Sequence, residues 1–376
     1  MSAPKSFALQ WLSKGEEVFP AMLAAIAAAK KTILLETYIY SDGKIGNQFL
    51  TALTAAAERG VKVRVLVDAM GSWLLPANFF QPLITAGGQV RRFNPLHLWR
   101  FGVRDHRKVL LCDGFKIFIG GFNLSDEYDG DGVTRGWCDL GAQLEDHDLA
   151  KDLAASFEVL YELADFHRKP LMRLRLFKRK RSTKAIGNLL LNHPGRGASP
   201  FQAALYRDLD TARDVRIIMA YFLPTRRLRR ELIRVVKRGG RVQLILAGKS
   251  DVLVSLLAAR SLYHKLLKAG VEIYEYQPQI LHAKLILCDN DLYIGSSNLD
   301  VRSLNLNYEL MLRLQNKNLA AEGQKIFEAR LEHCKKIEHH SWLGLQPFWK
   351  RWHFHWAHFL LSRIDPFVAL RQFKKL

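Results

Sequence analysis

HRKVLLCDGFKIFIGGFN (residues 106–123) and HAKLILCDNDLYIGSSN (residues 282–298) carry one pattern twice. Each copy reads His-x-Lys-x4-Asp, crosses an apolar run and ends at a Gly turn followed by Asn. The first copy supplies His106, Lys108, Asp113, Gly120 and Asn123; the second supplies His282, Lys284, Asp289, Gly295 and Asn298. One chance His-x-Lys-x4-Asp in a chain of this length has a probability on the order of a few per cent at average residue usage. Two copies, each with the downstream Gly and Asn in register, mark a duplication, and these residues become the candidate active site.

The repeat extends outward, as a duplicated structural unit requires. Residues 29–40 overlay on 213–224, 59–67 on 238–246, and 86–95 on 269–278. The offset is 183 at Pro95 and Pro278 but 176 at His106 and His282, so the first copy carries an insertion within residues 96–105. The apolar runs 102–112 and 281–288 end at Asp113-Gly114 and Asp289-Asn290, and the short runs 116–119 and 292–294 follow. This pattern predicts strands joined by turns. On a strand alternate side chains share a face, so His106 and Lys108 would point one way, as would His282 and Lys284. Helical patterns at 45–59 and 226–238 precede strands starting at Val61 and Arg241. Alternating helix and strand in each half predicts an α/β fold with a mixed sheet flanked by helices.

Charge and cysteine usage narrow the setting. A net charge of +20 implies an anionic partner, and both nucleic acid and anionic lipid concentrate phosphate. Cys112, Cys138, Cys288 and Cys334 show no metal-ligand spacing and read as reduced, buried thiols of a cytosolic protein. The N-terminus lacks a signal peptide pattern, and no apolar run reaches the roughly 18 residues of a membrane span. The sequence divides into a first half (1–165), a basic linker (166–200), a second half (201–335) and a Trp-rich basic tail (336–376). In the linker, HRKPLMRLRLFKRKRSTK (167–184) interleaves basic residues with Leu, Met and Phe. It reads equally as a flexible linker or as an interfacial segment. In the tail, Trp342, Trp349, Trp352 and Trp356 stand among Lys, Arg and His, a composition favoured at a membrane surface.

Two His-Lys-Asn sets suit chemistry at a phosphodiester. Lys108, Lys284, Asn123 and Asn298 can surround its oxygens and stabilise a trigonal-bipyramidal transition state. One neutral imidazole can attack phosphorus to give a phosphohistidine; the other, protonated, gives its proton to the leaving alkoxide and then activates the incoming hydroxyl. Neither motif has a third His or carboxylate at ligand spacing, and lysines repel a cation, so no metal or other cofactor is expected. Asp113 and Asp289 complete each motif as candidate site residues, although at strand ends a turn-capping role fits them better. Ser296 and Ser297 can either donate to a phosphate or pack the turn. Glu36 and Asp68 fall near predicted strand ends, from which they could face the cleft, while His97 and His264 read as ordinary histidines.

The doubled motif resembles the phospholipase D superfamily over residues 12–328. The tracts ETYIY (36–40), AYFLP (220–224), residues 255–284 and GSSNLDVRSLNLNYE (295–309) are similar to bacterial cardiolipin synthases of the short type, without N-terminal transmembrane helices. The resemblance implies two similar halves related by pseudo-twofold symmetry, with His106 and His282 meeting at their interface. It implies His106 as nucleophile and His282 as acid and base, in a near-symmetry that permits the reverse. Asp139 and Glu309, about thirty residues after the two histidines, match the positions of acids that orient them. The implied reaction moves a phosphatidyl group from phosphatidylglycerol to a second phosphatidylglycerol, giving cardiolipin, at the cytoplasmic face of the cell membrane with the protein bound peripherally. A phosphodiesterase or nuclease on the same scaffold is the alternative. Against nucleic acid, Trp is clustered in the tail rather than spaced along a groove as stacking platforms are. Against a noncatalytic lipid-binding protein, every catalytic position is intact in both copies.

Overall fold

A computed structural model describes residues 9–94, 102–164, 188–195 and 197–344, which form two mixed sheets. The first has the order β1-β7-β6-β5-β2-β3-β4, with β1 Leu9–Leu12, β2 Thr32–Thr37, β3 Lys62–Asp68, β4 Gln89–Phe93, β5 Val109–Cys112, β6 Lys116–Gly120 and β7 Gly141–Glu145. The second has the order β15-β11-β10-β9-β12-β13-β14-β8. Its strands are β8 Leu189–Asn192, β9 Asp214–Met219, β10 Arg241–Ala247, β11 Glu272–Tyr276, β12 Lys284–Cys288, β13 Asp291–Gly295, β14 Glu309–Gln315 and β15 Cys334–Ile337. In each sheet three parallel strands adjoin a three-stranded antiparallel meander.

Helices cover these sheets: α1 Gly15–Ala28, α2 Lys44–Glu58, α3 Gln81–Thr85 and α4 His147–Leu163 with the first, then α5 Pro200–Thr211, α6 Arg226–Lys237, α7 Leu253–Arg260, α8 Tyr263–Lys268, α9 Val301–Asn305, α10 Lys317–Leu331 and α11 His339–Gly344. The sequence dictates each locally. On α2, Ile45, Phe49, Leu53 and Ala56 recur at helical spacing and are buried. The chain then turns through Gly60 at φ +86, a left-handed conformation that only glycine adopts without strain. The central strands β2 and β9 are buried over most of their length, with Ile33, Leu34 and Leu35 in one and Ile217, Ile218 and Met219 in the other, as strands covered on both faces require.

Three apolar layers result. One packs α1 and α2 on the outer face of the first sheet, and another packs α5, α6 and α8 on the outer face of the second. The third is shared. Leu34, Leu111, Ile117 and Leu144 of the first sheet belong to one cluster with Leu285, Leu292, Ile294 and Leu312 of the second, together with Phe157 of α4 and Phe327 of α10. Each such side chain contributes about 1.5–3 kcal/mol on burial. The shared layer therefore fixes the halves against one another, and a site built at their seam is held in place.

The structure revises several sequence expectations. The motif strands begin later than the apolar runs suggest, at Val109 and Lys284, because the preceding residues leave their own sheet to bond across the seam. The overlay of 29–40 on 213–224 slips by two. Asp113 N–H donates to the Thr32 carbonyl and Asp289 N–H to that of Asp214, giving an offset of 182 rather than 184. A slip of two keeps every side chain on its face, so hydrophobic patterning could not detect it. Within the linker range, β8 is an edge strand of the second sheet, paired with β14. Within the tail range, β15 pairs with β11, and Trp342 packs against Tyr263 with ring centres 5.0 Å apart. The basic run 167–184 and the tail beyond residue 344 lie outside the described residues, as does His97.

Candidate active site

Two short crossings build the seam. Asp105 bridges Tyr308, and Leu281 bridges Cys138. The His106 N–H donates to the Tyr308 carbonyl at 2.9 Å and the His282 N–H to the Cys138 carbonyl at 2.7 Å. The residues following those carbonyls are Glu309 and Asp139. Anchoring a histidine's backbone therefore also brings the opposite half's carboxylate to its ring. His106 Nδ1 lies 3.1 Å from Glu309 Oε2, and His282 Nδ1 lies 2.6 Å from Asp139 Oδ2. Chain order sets each acid after the histidine of its own half; in space the pairing is crossed.

Burial governs the electrostatics. It pushes both imidazoles below their ordinary value; His282 falls to about 4, with Lys284 reinforcing burial and Asp139 opposing it. His106 is lowered in the same way, with Glu309 opposing. Burial alone would raise Asp139 and Glu309, but the imidazole and lysine charges beside them outweigh it and hold both carboxyls low. These directions favour ionised carboxylates and neutral imidazoles near neutral pH. A carboxylate at Nδ1 fixes the Nδ1–H tautomer and leaves Nε2 with its lone pair. Burial also lowers Lys108 to about 7 and Lys284 to about 8. An entering phosphate anion favours the charged form of all four bases.

The remaining motif residues converge on the same place. Lys108 Nζ donates to the His106 carbonyl at 2.6 Å and sits 5.3 Å from the centre of the Tyr38 ring. Lys284 Nζ lies against the His282 ring, 3.0 Å from Nδ1 and 3.1 Å from Nε2. Asn123 accepts from the Ile39 N–H at 3.1 Å and donates to the Tyr128 hydroxyl at 2.7 Å, leaving a second N–H. Asn298 accepts from the Tyr221 N–H at 3.3 Å. Ser296 Oγ donates to Glu309 at 2.5 Å, whereas Ser297 Oγ turns back to the Asn298 carbonyl. At the place of Ser296 the first half has Gly121, where a Cβ would stand 2.1 Å from Asp139 Oδ1. Both histidines and both asparagines line a single cleft of about 820 Å³, together with Tyr38, Tyr128, Trp137, Tyr221, Arg104 and Arg302.

Asp113 and Asp289 are not brought into this cleft. Asp113 accepts from the backbone N–H groups of Lys30, Lys31 and Thr32, and Asp289 from those of Arg213 and Asp214, at the far ends of β5 and β12. Both hold φ near +50 in tight turns. A catalytic role for Asp113 and Asp289 is corrected by this geometry, since a strand length separates them from the histidines; they cap turns.

The family described as cardiolipin synthase, PLD-like domain, matches residues 22–161 and 205–331. The chain belongs to this family. Among relatives, cardiolipin synthase B of Salmonella typhimurium is 33% identical over 370 residues, covering 91% of this chain and 84% of that protein. Cardiolipin synthase 1 of Bacillus anthracis is 32% identical over 340 residues, covering 87% and 67%. The fold is shared with phosphatidylserine synthase of Haemophilus influenzae, at a TM-score of 0.73 and 15% identity over 96% of this chain and 95% of that one. Among the described residues no helix is long and apolar enough to cross a membrane. Among the same residues, no group of three or more His, Cys, Asp or Glu is placed to hold a metal ion.

Within this cardiolipin synthase-like chain the two halves differ beneath the histidines. In the first half Arg107 Nε is 2.7 Å from Glu36 and 3.5 Å from Asp105. Arg104 lies 3.4 Å from Asp68, which also accepts the Asp105 N–H at 2.9 Å. The corresponding places in the second half hold Ile218, Ala247, Ile280, Leu281 and Ala283. Glu36 and Asp68 are thus buried braces of the segment that carries His106, not groups facing the cleft. Sequence reading passed over Arg104, Asp105 and Arg107, as well as Tyr38, Tyr128 and Tyr221. The signal for the network was present: once the copies are aligned, five charged residues stand opposite five apolar ones.

Proposed function

We propose that this chain is a phosphatidyltransferase that makes cardiolipin from phosphatidylglycerol through a phosphohistidine. The observation that carries this reading is the pair of crossed histidine–carboxylate couples lining one cleft. His106 Nε2 attacks the phosphorus of one phosphatidylglycerol. The P–N bond forms as the P–O bond to the head-group glycerol breaks, and protonated His282 gives that oxygen its proton. Glycerol leaves. Neutral His282 then takes the proton from a glycerol hydroxyl of a second phosphatidylglycerol; its oxygen attacks phosphorus, the P–N bond breaks, and His106 is restored.

Lys108, Lys284, Asn123 and Asn298 hold the phosphate oxygens, with no metal in the scheme. The near-symmetry of the two couples supports the same group acting as acid in one half-reaction and base in the next. The braced Arg107–Glu36–Asp105 segment supports His106 as the more rigidly positioned nucleophile. Substrate is met at an anionic membrane surface, which we take to be the cytoplasmic face of the cell membrane. Purified protein given phosphatidylglycerol vesicles without metal is expected to release glycerol and form cardiolipin in equal amounts. Cleavage of single-stranded DNA with no action on lipid would instead assign a nuclease.

A further inference from the structure

Two exposed apolar lips flank the mouth of the cleft, and the chemistry above does not use them. The first follows the C-terminal end of β3, where Met70, Trp73 and Leu74 are 38%, 64% and 77% exposed. The second follows the C-terminal end of β10, the equivalent strand, where Val252, Leu253 and Val254 are 41%, 62% and 40% exposed. Met70, Trp73 and Val252 also line the cleft wall, so each lip is continuous with the site. Contiguous exposed apolar side chains at a polar rim mark an interaction surface.

The charge beside the lips is anomalous for a helix. α6 starts at the same edge, after β9, with Arg226, Arg227, Arg229 and Arg230 in its first five residues. Cations are disfavoured at a helix N-terminus, where the macrodipole is already positive. Burial, with Arg226 adding to it, pushes the Arg229 guanidinium down, and its Nε is buried without a hydrogen-bond partner. Arg226, Arg227 and Arg230 are exposed. An anionic surface opposite them would relieve the repulsion among these charges and with the helix dipole.

We propose that this rim docks on the anionic face of a lipid bilayer: Trp73 and Leu74 on one side of the cleft and Val252, Leu253 and Val254 on the other enter the head-group boundary, and the α6 arginines meet lipid phosphates. This deepens the function proposed above and rests on its lipid reading. Aromatic and aliphatic insertion beside basic residues is the composition of an interfacial anchor. A bilayer fits the rim better than a second copy of the chain, which would close the cleft against its substrate. Docked this way, the cleft opens into the head-group layer, and a phosphodiester reaches His106 and His282 while its acyl chains stay in the membrane.

The test uses Leu74→Ser with Leu253→Ser, neither of which lines the cleft, and separately Arg226→Ala with Arg230→Ala. Binding is read by sedimentation with phosphatidylglycerol and with phosphatidylcholine vesicles. Turnover is read on vesicles and on a short-chain phosphatidylglycerol dispersed as monomers. The leucine pair is expected to weaken vesicle binding by about thirtyfold and vesicle turnover with it, with turnover of the monomeric lipid unchanged. The arginine pair is expected to weaken binding to the anionic vesicles only. Unchanged sedimentation of the leucine variant would overturn the proposal, as would loss of a solution dimer in its place. A wild type that turns over neither lipid form would refute the proposed function, while sedimentation would still decide the docking.

Discussion

His106→Ala and His282→Ala are each expected to lower cardiolipin formation by at least ~10⁴-fold, and the double variant to be no worse than either alone. The reason lies in the division of labour. Without an imidazole at 106 no P–N bond forms. Without one at 282 the alkoxide leaves unprotonated and the second lipid is not activated. Groups that act in series within one cycle are non-additive when deleted. Asp113→Ala provides the contrast. Its carboxylate accepts three backbone N–H groups at the distal turn, so the variant should lose about 1–3 kcal/mol of stability and keep its turnover per folded molecule. A steady-state assay beside a thermal melt separates the two outcomes. Equal loss of turnover in Asp113→Ala and His106→Ala would contradict the assignment.

Asp139→Asn is the second large effect, expected to lower turnover by ~10²–10⁴-fold with little change in lipid affinity. Asp139 is fully buried against His282 and is the contribution that raises an imidazole otherwise pushed down by burial and Lys284. Removing its charge makes His282 harder to protonate just where it must serve as acid, so the alkaline limb of the rate profile should move to lower pH. The sign of the stability effect follows separately. His282 takes up a proton at about 4 when folded and near 6.5 when unfolded. Between those values the unfolded chain binds more protons, so stability is lost as pH falls from about 6.5 towards 4. His282→Gln should flatten that slope, measured by denaturant unfolding across the same range. An unshifted profile in Asp139→Asn would show that its partner is not the acid.

Much of this was legible in the residues. The doubled motif identified both histidines, both lysines and both asparagines, and the alternation of helix and strand gave two mixed sheets. Resemblance supplied Asp139 and Glu309. What stayed hidden depends on the third dimension. The crossing of each acid to the opposite histidine arises from the Asp105–Tyr308 and Leu281–Cys138 bridges, which no spacing along the chain encodes. The two-residue slip of β2 against β9 preserves facing, so periodicity is blind to it. Arg104, Asp105 and Arg107 look like surface charge in a basic chain, and only the apolar residues opposite them in the second copy reveal a buried network. The lips could not be read at all, because an exposed Leu and a buried one share a letter.

The central claim is a covalent bond between phosphorus and one imbedded imidazole nitrogen. It is tested most directly by quenching the wild type in alkali after brief exposure to phosphatidylglycerol and mapping the modified peptide by mass spectrometry. A phosphatidyl adduct on His106, absent from His106→Ala, is the result expected. An unmodified His106 alongside continuing cardiolipin synthesis by the wild type would contradict it.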